Sequence, residues 1–196
     1  LLLVLASVFS APAYSADQTR LGEARKVEDQ AFDLFKSNKF SEALPLLEKA
    51  FRLYTEILGE RHPDTLGSLN NLAVTYRNLG RDAEAMGLLE KALRLKTEVL
   101  GERHPDTLTS LNNLAATYAS LGRHAEALPL DTKALRLRTE VLGERDPHTL
   151  TSLNNLAETY RNLGRHAEAL PLHERALKLR TEVLGERHPD TLGSLN

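Results

Sequence analysis

The side chains best equipped for chemistry are seven histidines, three of which (His62, His104 and His188) recur in one local phrase, H-P-D-T-L. A histidine held in register with an aspartate is what a metal centre or an acid–base pair requires. Distance argues against a shared metal. Equivalent positions on packed helices stand about 8–10 Å apart or more, whereas the ligands of one ion lie about 2 Å from it. His173-Glu174 opens the zinc-protease phrase H-E-x-x-H, but Leu177 stands where the second His is required. His62, Asp64 and Ser68 are triad residue types at a predicted helix start, without the strand-turn-helix elbow that exposes a nucleophile. No catalytic residue, metal or cofactor is expected. What remains is hydrogen bonding by paired amides, Asn70-Asn71, Asn112-Asn113 and Asn154-Asn155, repeated at one spacing.

The chain that must position these amides has 196 residues, 41% hydrophobic and 27% charged, with 25 basic against 27 acidic side chains, 5% aromatics and no Cys. That composition excludes a disulfide scaffold, a cysteine-ligated metal, an acylated-Cys anchor and a general nucleic-acid binder. Leu1 to Phe9 reads LLLVLASVF, too short to span a bilayer, and is followed by small residues. This pattern predicts a signal peptide over residues 1–15, cut between Ser15 and Ala16, with a cut after Ala13 as the weaker choice. A buried first helix is the alternative. The opening at Leu1, without an initiator methionine or a basic segment, points to a few missing residues. The expected location is exported, periplasmic or secreted, with no stable membrane insertion after leader cleavage.

Self-similarity sets the architecture. The segment from His62 returns from His104, 42 positions later, and a third copy opens with DPHTLTSLNNLAETY at Asp146. The predicted division is a divergent first hairpin over 16–60, repeats over 61–102, 103–144 and 145–186, and the start of a truncated repeat over 187–196, which points to a piece of a longer protein. Within a copy the apolar period is helical: Leu66, Leu69, Leu72, Ala73, Tyr76 and Leu79 form one stripe, and Leu88, Ala92, Leu95 and Val99 another. Each copy is therefore read as a helical hairpin. Gly80, Gly122 and Gly164 turn between the paired helices; Gly59, Gly101, Gly143 and Gly185 end the second helix. Pro63, Pro105, Pro147 and Pro189 open the next first helix, where Asp64, Asp106 and Asp190 face the positive end of its dipole. Pro45, Pro129 and Pro171 are expected in about the first turn of the second helix. The arginines of LRLRTE are expected on a solvated outer face, with Glu98 and Glu140 as partners.

Leu69, Leu72, Ala73 and Tyr76, followed by Gly80, Ala85 and Ala92, resemble the tetratricopeptide pattern, with Leu in place of its Trp. The phrases LNNLA, GRxAEAL and LGERHPDTL are similar to the 42-residue subclass found in kinesin light chains and many bacterial repeat proteins. The chain departs from the family with Asp82, His124 and His166 where Tyr or Phe is usual. The resemblance implies an all-α fold, a right-handed α-solenoid of stacked antiparallel helical hairpins with first helices lining the inner wall.

It also implies that Asn71, Asn113 and Asn155 pair with a ligand's backbone, for which an amide offers both donor and acceptor. One Asn of each pair could instead bond to the neighbouring hairpin, and both roles can coexist. Asn70, Asn112 and Asn154 share that face, with Arg77, Arg161 and Glu158 for selectivity. The expected function is a non-catalytic protein–protein interaction scaffold holding an extended peptide or a helix of a partner. The alternative is the recognition arm of a larger enzyme, for example a caspase-like peptidase, whose catalytic domain lies beyond the fragment. Self-association through solenoid ends is a third possibility.

Overall fold

The structure, a computed structural model, describes residues 11–185 and 191; the apolar stretch Leu1 to Phe9 and most of the partial copy at 187–196, Asp190 included, lie outside the described residues. Over residues 11–184 of the described part, eight helices follow in order: α1 (Ala11–Lys36), α2 (Phe40–Leu58), α3 (Pro63–Asn78), α4 (Asp82–Leu100), α5 (Pro105–Ser120), α6 (His124–Leu142), α7 (Pro147–Asn162) and α8 (His166–Leu184). Among the described residues there is no strand. Helix α1 begins before Ser15 and Ala16 and runs through both. The chain divides into two compact units, Leu1–Leu88 and Leu89–Asn196, with the boundary inside α4.

In the first unit α2 packs against both α1 and α3. Leu21, Ala24, Val27, Ala50 and Tyr54 form one buried cluster, and Ala31, Ala43, Leu47 and Leu72 a second, with Tyr76 and Leu88 packed against it. Alanines at the contacts let the helix backbones approach closely. The turn from α1 to α2 places Asn38 at φ 57, and Gly80 takes φ 71 between α3 and α4. Asn38 stands 42 residues before Gly80, and asparagine is the side chain that tolerates the left-handed region best.

In the second unit α5, α6, α7 and α8 pack in sequence, and the first helices α5 and α7 also touch. The hairpins are tied by a buried cation. Arg138 on α6, 4% exposed, donates through Nη1 to the His148 carbonyl at 2.9 Å, Ser152 Oγ at 2.8 Å and Asn112 Oδ1 at 3.4 Å, and through Nη2 to the Leu108 carbonyl at 3.5 Å. Lys96 holds the same place one copy earlier, with Nζ 3.4 Å from the Asp106 carbonyl. Burial pushes both side chains below their ordinary pKa values. In the divergent hairpin Tyr54 stands there and donates to Glu28 at 3.1 Å. The Ser68 hydroxyl, which matches Ser152, is correspondingly left without a partner.

Three expectations are corrected. The solvated face predicted for LRLRTE holds for Arg136, which pairs with Glu140 at 2.9 Å, but fails for Arg138. The cause is the helical period: Arg138 follows Ala134 by four residues and Leu137 by one, so it turns inward with them. Val99 is 39% exposed and lies off the core stripe; Leu89 is fully buried and Leu88 half-buried. Pro45, Pro129 and Pro171 sit inside their helices, in the second turn, with Gly87 at the matching place in α4. Each of these prolines removes one hydrogen bond from its helix.

Candidate ligand-binding face

The predicted amides occupy one register on successive first helices. Asn71 is exposed and donates through Nδ2 to Glu28 Oε1 at 3.2 Å; Asn155 donates through Nδ2 to Asn112 Oδ1 at 3.1 Å. Both bonds reach back 43 residues to the preceding hairpin. Asn112 Oδ1 also lies 3.5 Å from Ser152 Oγ. Asn70 is buried, while Asn113 and Asn154 are half-buried. Asn112 and Asn155 thus join the hairpins of the second unit, and Asn71 ties α3 to α1. Asn71 and Asn155 each use one N–H among the described contacts, and an amide side chain has a second N–H and a carbonyl oxygen to offer.

The charged members are not equivalent. Arg161 donates through Nε to Glu158 Oε2 at 2.9 Å and through Nη2 to the same oxygen, while His173 Nε2 lies 3.5 Å from Glu158 Oε1. Arg77 is half-buried. Desolvation pulls its guanidinium pKa down, and the negative charge of Asp82 opposes that pull.

Sequence reasoning overlooked the first helix of this face. Subtracting the 42-residue period from Asn70, Asn71, Val74 and Arg77 leads to Glu28, Asp29, Phe32 and Phe35. The structure gathers these four around a cavity of about 340 Å³, completed by Ala31 and by Leu47, Asn71 and Val74 from α2 and α3. Phe32 is 55% exposed, an unusual state for a large apolar side chain, and Lys36 Nζ stands 4.3 Å from its ring centroid. Phe35 is fixed edge-on against Phe40, with centroids 5.0 Å apart. Glu28 is held by Tyr54 and Asn71. Its negative charge and the burial of the ring push the Tyr54 phenol well above its ordinary range, with burial the larger cause.

The recurrent histidines have a local use. His62 Nδ1 accepts from the Asp64 backbone N–H at 3.1 Å and His104 Nδ1 from that of Asp106 at 3.2 Å, so each caps the helix that follows. In the third copy the residues are exchanged, and Asp146 Oδ1 accepts from the His148 N–H at 2.8 Å. His188 lies outside the described residues. Among the described residues no group of three His, Cys, Asp or Glu side chains could hold a metal ion.

The tetratricopeptide repeat profile matches residues 23–98, 68–140, 106–182 and 148–196. A search of curated proteins returns no match. Among solved structures, the nearly identical TPR-like repeats of a Podosopora anserina protein assigned as a kinesin light chain share 29% identity and a TM-score of 0.78, covering 89% of this chain and 82% of that one. BtubC (BKLC) from P. vanneervenii matches at 24% identity and TM-score 0.74, over 92% of this chain and 78% of that one. A Rap protein complexed with Competence and Sporulation Factor matches at 15% identity and TM-score 0.71, over 88% and 51%. Similarity of this kind places the fold among all-α tetratricopeptide solenoids.

Proposed function

The chain belongs to the tetratricopeptide repeat family, and on that premise we propose that it is a non-catalytic scaffold whose first helices bind an extended peptide or a helix of a partner protein. Proteins of this family commonly serve as protein–protein interaction scaffolds, and the Rap protein that shares the fold is complexed with Competence and Sporulation Factor. The observation that carries the reading is the half-used amide. Asn71 in the first unit and Asn155 in the second each spend one donor within their own unit, so each keeps an N–H and a carbonyl oxygen with which to read a peptide backbone regardless of its side chains. Glu158 and Arg161, already paired, and the partly desolvated Arg77 then bias the charge of what binds beside them. Export is part of the proposal and rests on the leader-like residues 1–15; no helix among the described residues is long and apolar enough to cross a membrane.

The test starts from random twelve-residue peptides displayed on phage and panned against the chain. A selected peptide should shift the side-chain amide resonances of Asn71, Asn113 and Asn155, and N-methylation of its alternate backbone positions should weaken it at least tenfold. A peptide that leaves those resonances in place, or that tolerates the methyl groups, defeats the backbone-reading claim.

A further inference from the structure

The cavity between α1 and α3 differs from the rest of the register. Later copies carry Asn, Val, Ala, Glu or Arg at the positions where α1 carries Glu28, Asp29, Phe32 and Phe35. Its lining joins an apolar floor, Phe32, Phe35, Leu47 and Val74, to two carboxylates and one amide, and it contains no cation. Two properties follow from that chemistry. A half-exposed phenyl ring beside an apolar floor gains by covering itself with another apolar side chain, which removes apolar area from water. Carboxylates at the edge of such a floor favour a cation nearby, and they penalise an acidic neighbour, because a second negative charge there would be repelled at short range in a partly desolvated setting.

The face of Phe32 is itself suited to a cation, as the position of Lys36 over the ring illustrates. Asp29, exposed on the same helix, is available to a ligand, whereas Glu28 already accepts from Tyr54 and Asn71. Asp33, one turn on, is engaged by Lys36 at 3.7 Å. The negative charge that a ligand meets first is therefore that of Asp29.

From this we infer that the α1–α3 cavity is an anchor pocket for a basic-apolar segment of a partner protein, in which a bulky aliphatic or aromatic side chain enters against Phe32 and Phe35 while a Lys or Arg within two residues of it pairs with Asp29. The inference rests on the peptide-binding reading above and names the ligand class for one part of that face.

The same phage library tests it on the full chain. Clones bound to the unmodified protein should be enriched in Lys or Arg within two positions of Leu, Ile, Met, Phe or Trp, and a synthetic peptide from such a clone should bind more weakly as salt rises. Phe32→Ser and Asp29→Lys should each weaken that peptide tenfold or more. Both positions are exposed, so unchanged far-UV circular dichroism is expected, and Asp29→Asn provides a milder second variant that should lose the salt dependence first. Clones that are acidic, or that bind the Phe32→Ser and Asp29→Lys proteins as tightly as the original, overturn the pocket assignment and leave the scaffold reading intact. A library that yields no binding clone overturns the scaffold reading and the anchor with it.

Discussion

Asp131 sets a carboxyl group where the two preceding copies carry Leu47 and Leu89, and it is as buried as they are, at 2% exposure. Its Oδ2 accepts from Thr159 Oγ1 at 2.6 Å. In the other copies that threonine donates up its own helix, Thr75 to the Asn71 carbonyl and Thr117 to that of Asn113, both at 2.9 Å. Desolvation raises the Asp131 pKa above its ordinary 3.8, and the Thr159 hydrogen bond only partly offsets it. A folded-state value above the unfolded one means that the folded chain holds the proton more tightly. The contribution to stability is full below 3.8 and is lost as pH rises through the folded value. Acidification from neutral pH should therefore stabilise this part of the chain relative to Asp131→Leu, and urea titrations of both proteins across that window will measure the difference. At neutral pH Asp131→Leu should be the more stable by about 1–2 kcal/mol, because it removes a buried charge and frees Thr159 to bond to the Asn155 carbonyl. A variant less stable at neutral pH would show that the Thr159 bond outweighs desolvation.

At the scale of the helix, capping and turn chemistry were legible from the sequence because they are local: proline with an acceptor before it opens α3, α5 and α7, and a glycine follows the last turn of each helix from α2 to α8. His104→Ala should cost about 1 kcal/mol, whereas His104→Asp should cost little, since Asp146 performs the same task in the next copy. Thermal denaturation of the pair separates capping from any general need for histidine. Gly143 ends α6 at φ 87, ψ 165, a region that side chains avoid, and a Cβ there would meet nothing within 4 Å. Gly143→Ala should thus lose about 1–3 kcal/mol through backbone strain alone, read as a lower urea midpoint at unchanged slope. Packing across hairpins was harder to read. Tyr76 and Tyr118 donate to Glu48 and Glu90 at 2.8 Å, but Thr132 stands at the next matching position, and among the described residues the Tyr160 hydroxyl has no hydrogen-bond acceptor. Thr132→Glu should restore the link and add about 0.5–1 kcal/mol, measurable by urea unfolding. Arg138 was misread for a related reason. Its alternation with leucine has the look of a strand period, and only its distance from Ala134 shows that it faces inward. The α1–α3 cavity escaped notice because Gln18 to Lys36 resembles the later copies in period and little in composition, so the subtraction that reveals Glu28, Asp29, Phe32 and Phe35 has no matching letters to prompt it.

For the whole molecule, repetition was the most legible property, and it also predicts how the chain responds to surgery. Excising residues 104–145 joins Arg103 to Asp146, puts an equivalent cap before the next first helix and offers the His148 carbonyl to Lys96 in place of that of Asp106. The shortened chain should keep its mean residue ellipticity and unfold at a lower urea concentration, since stability in such arrays sums over copies and their interfaces. Loss of helical signal would mean that the copies are not interchangeable. The hydrogen bond that reaches back 43 residues from Asn155 meets Asn112, and after that excision the residue at the same distance is Asn70, again an amide. Unequal recombination between near-identical stretches of the gene can therefore add or delete whole hairpins and still encode a foldable product at each step. The number of hairpins becomes a heritable quantity, adjustable in units of one copy, and the cavity lined by α1 is passed on unchanged while the copies behind it are gained or lost.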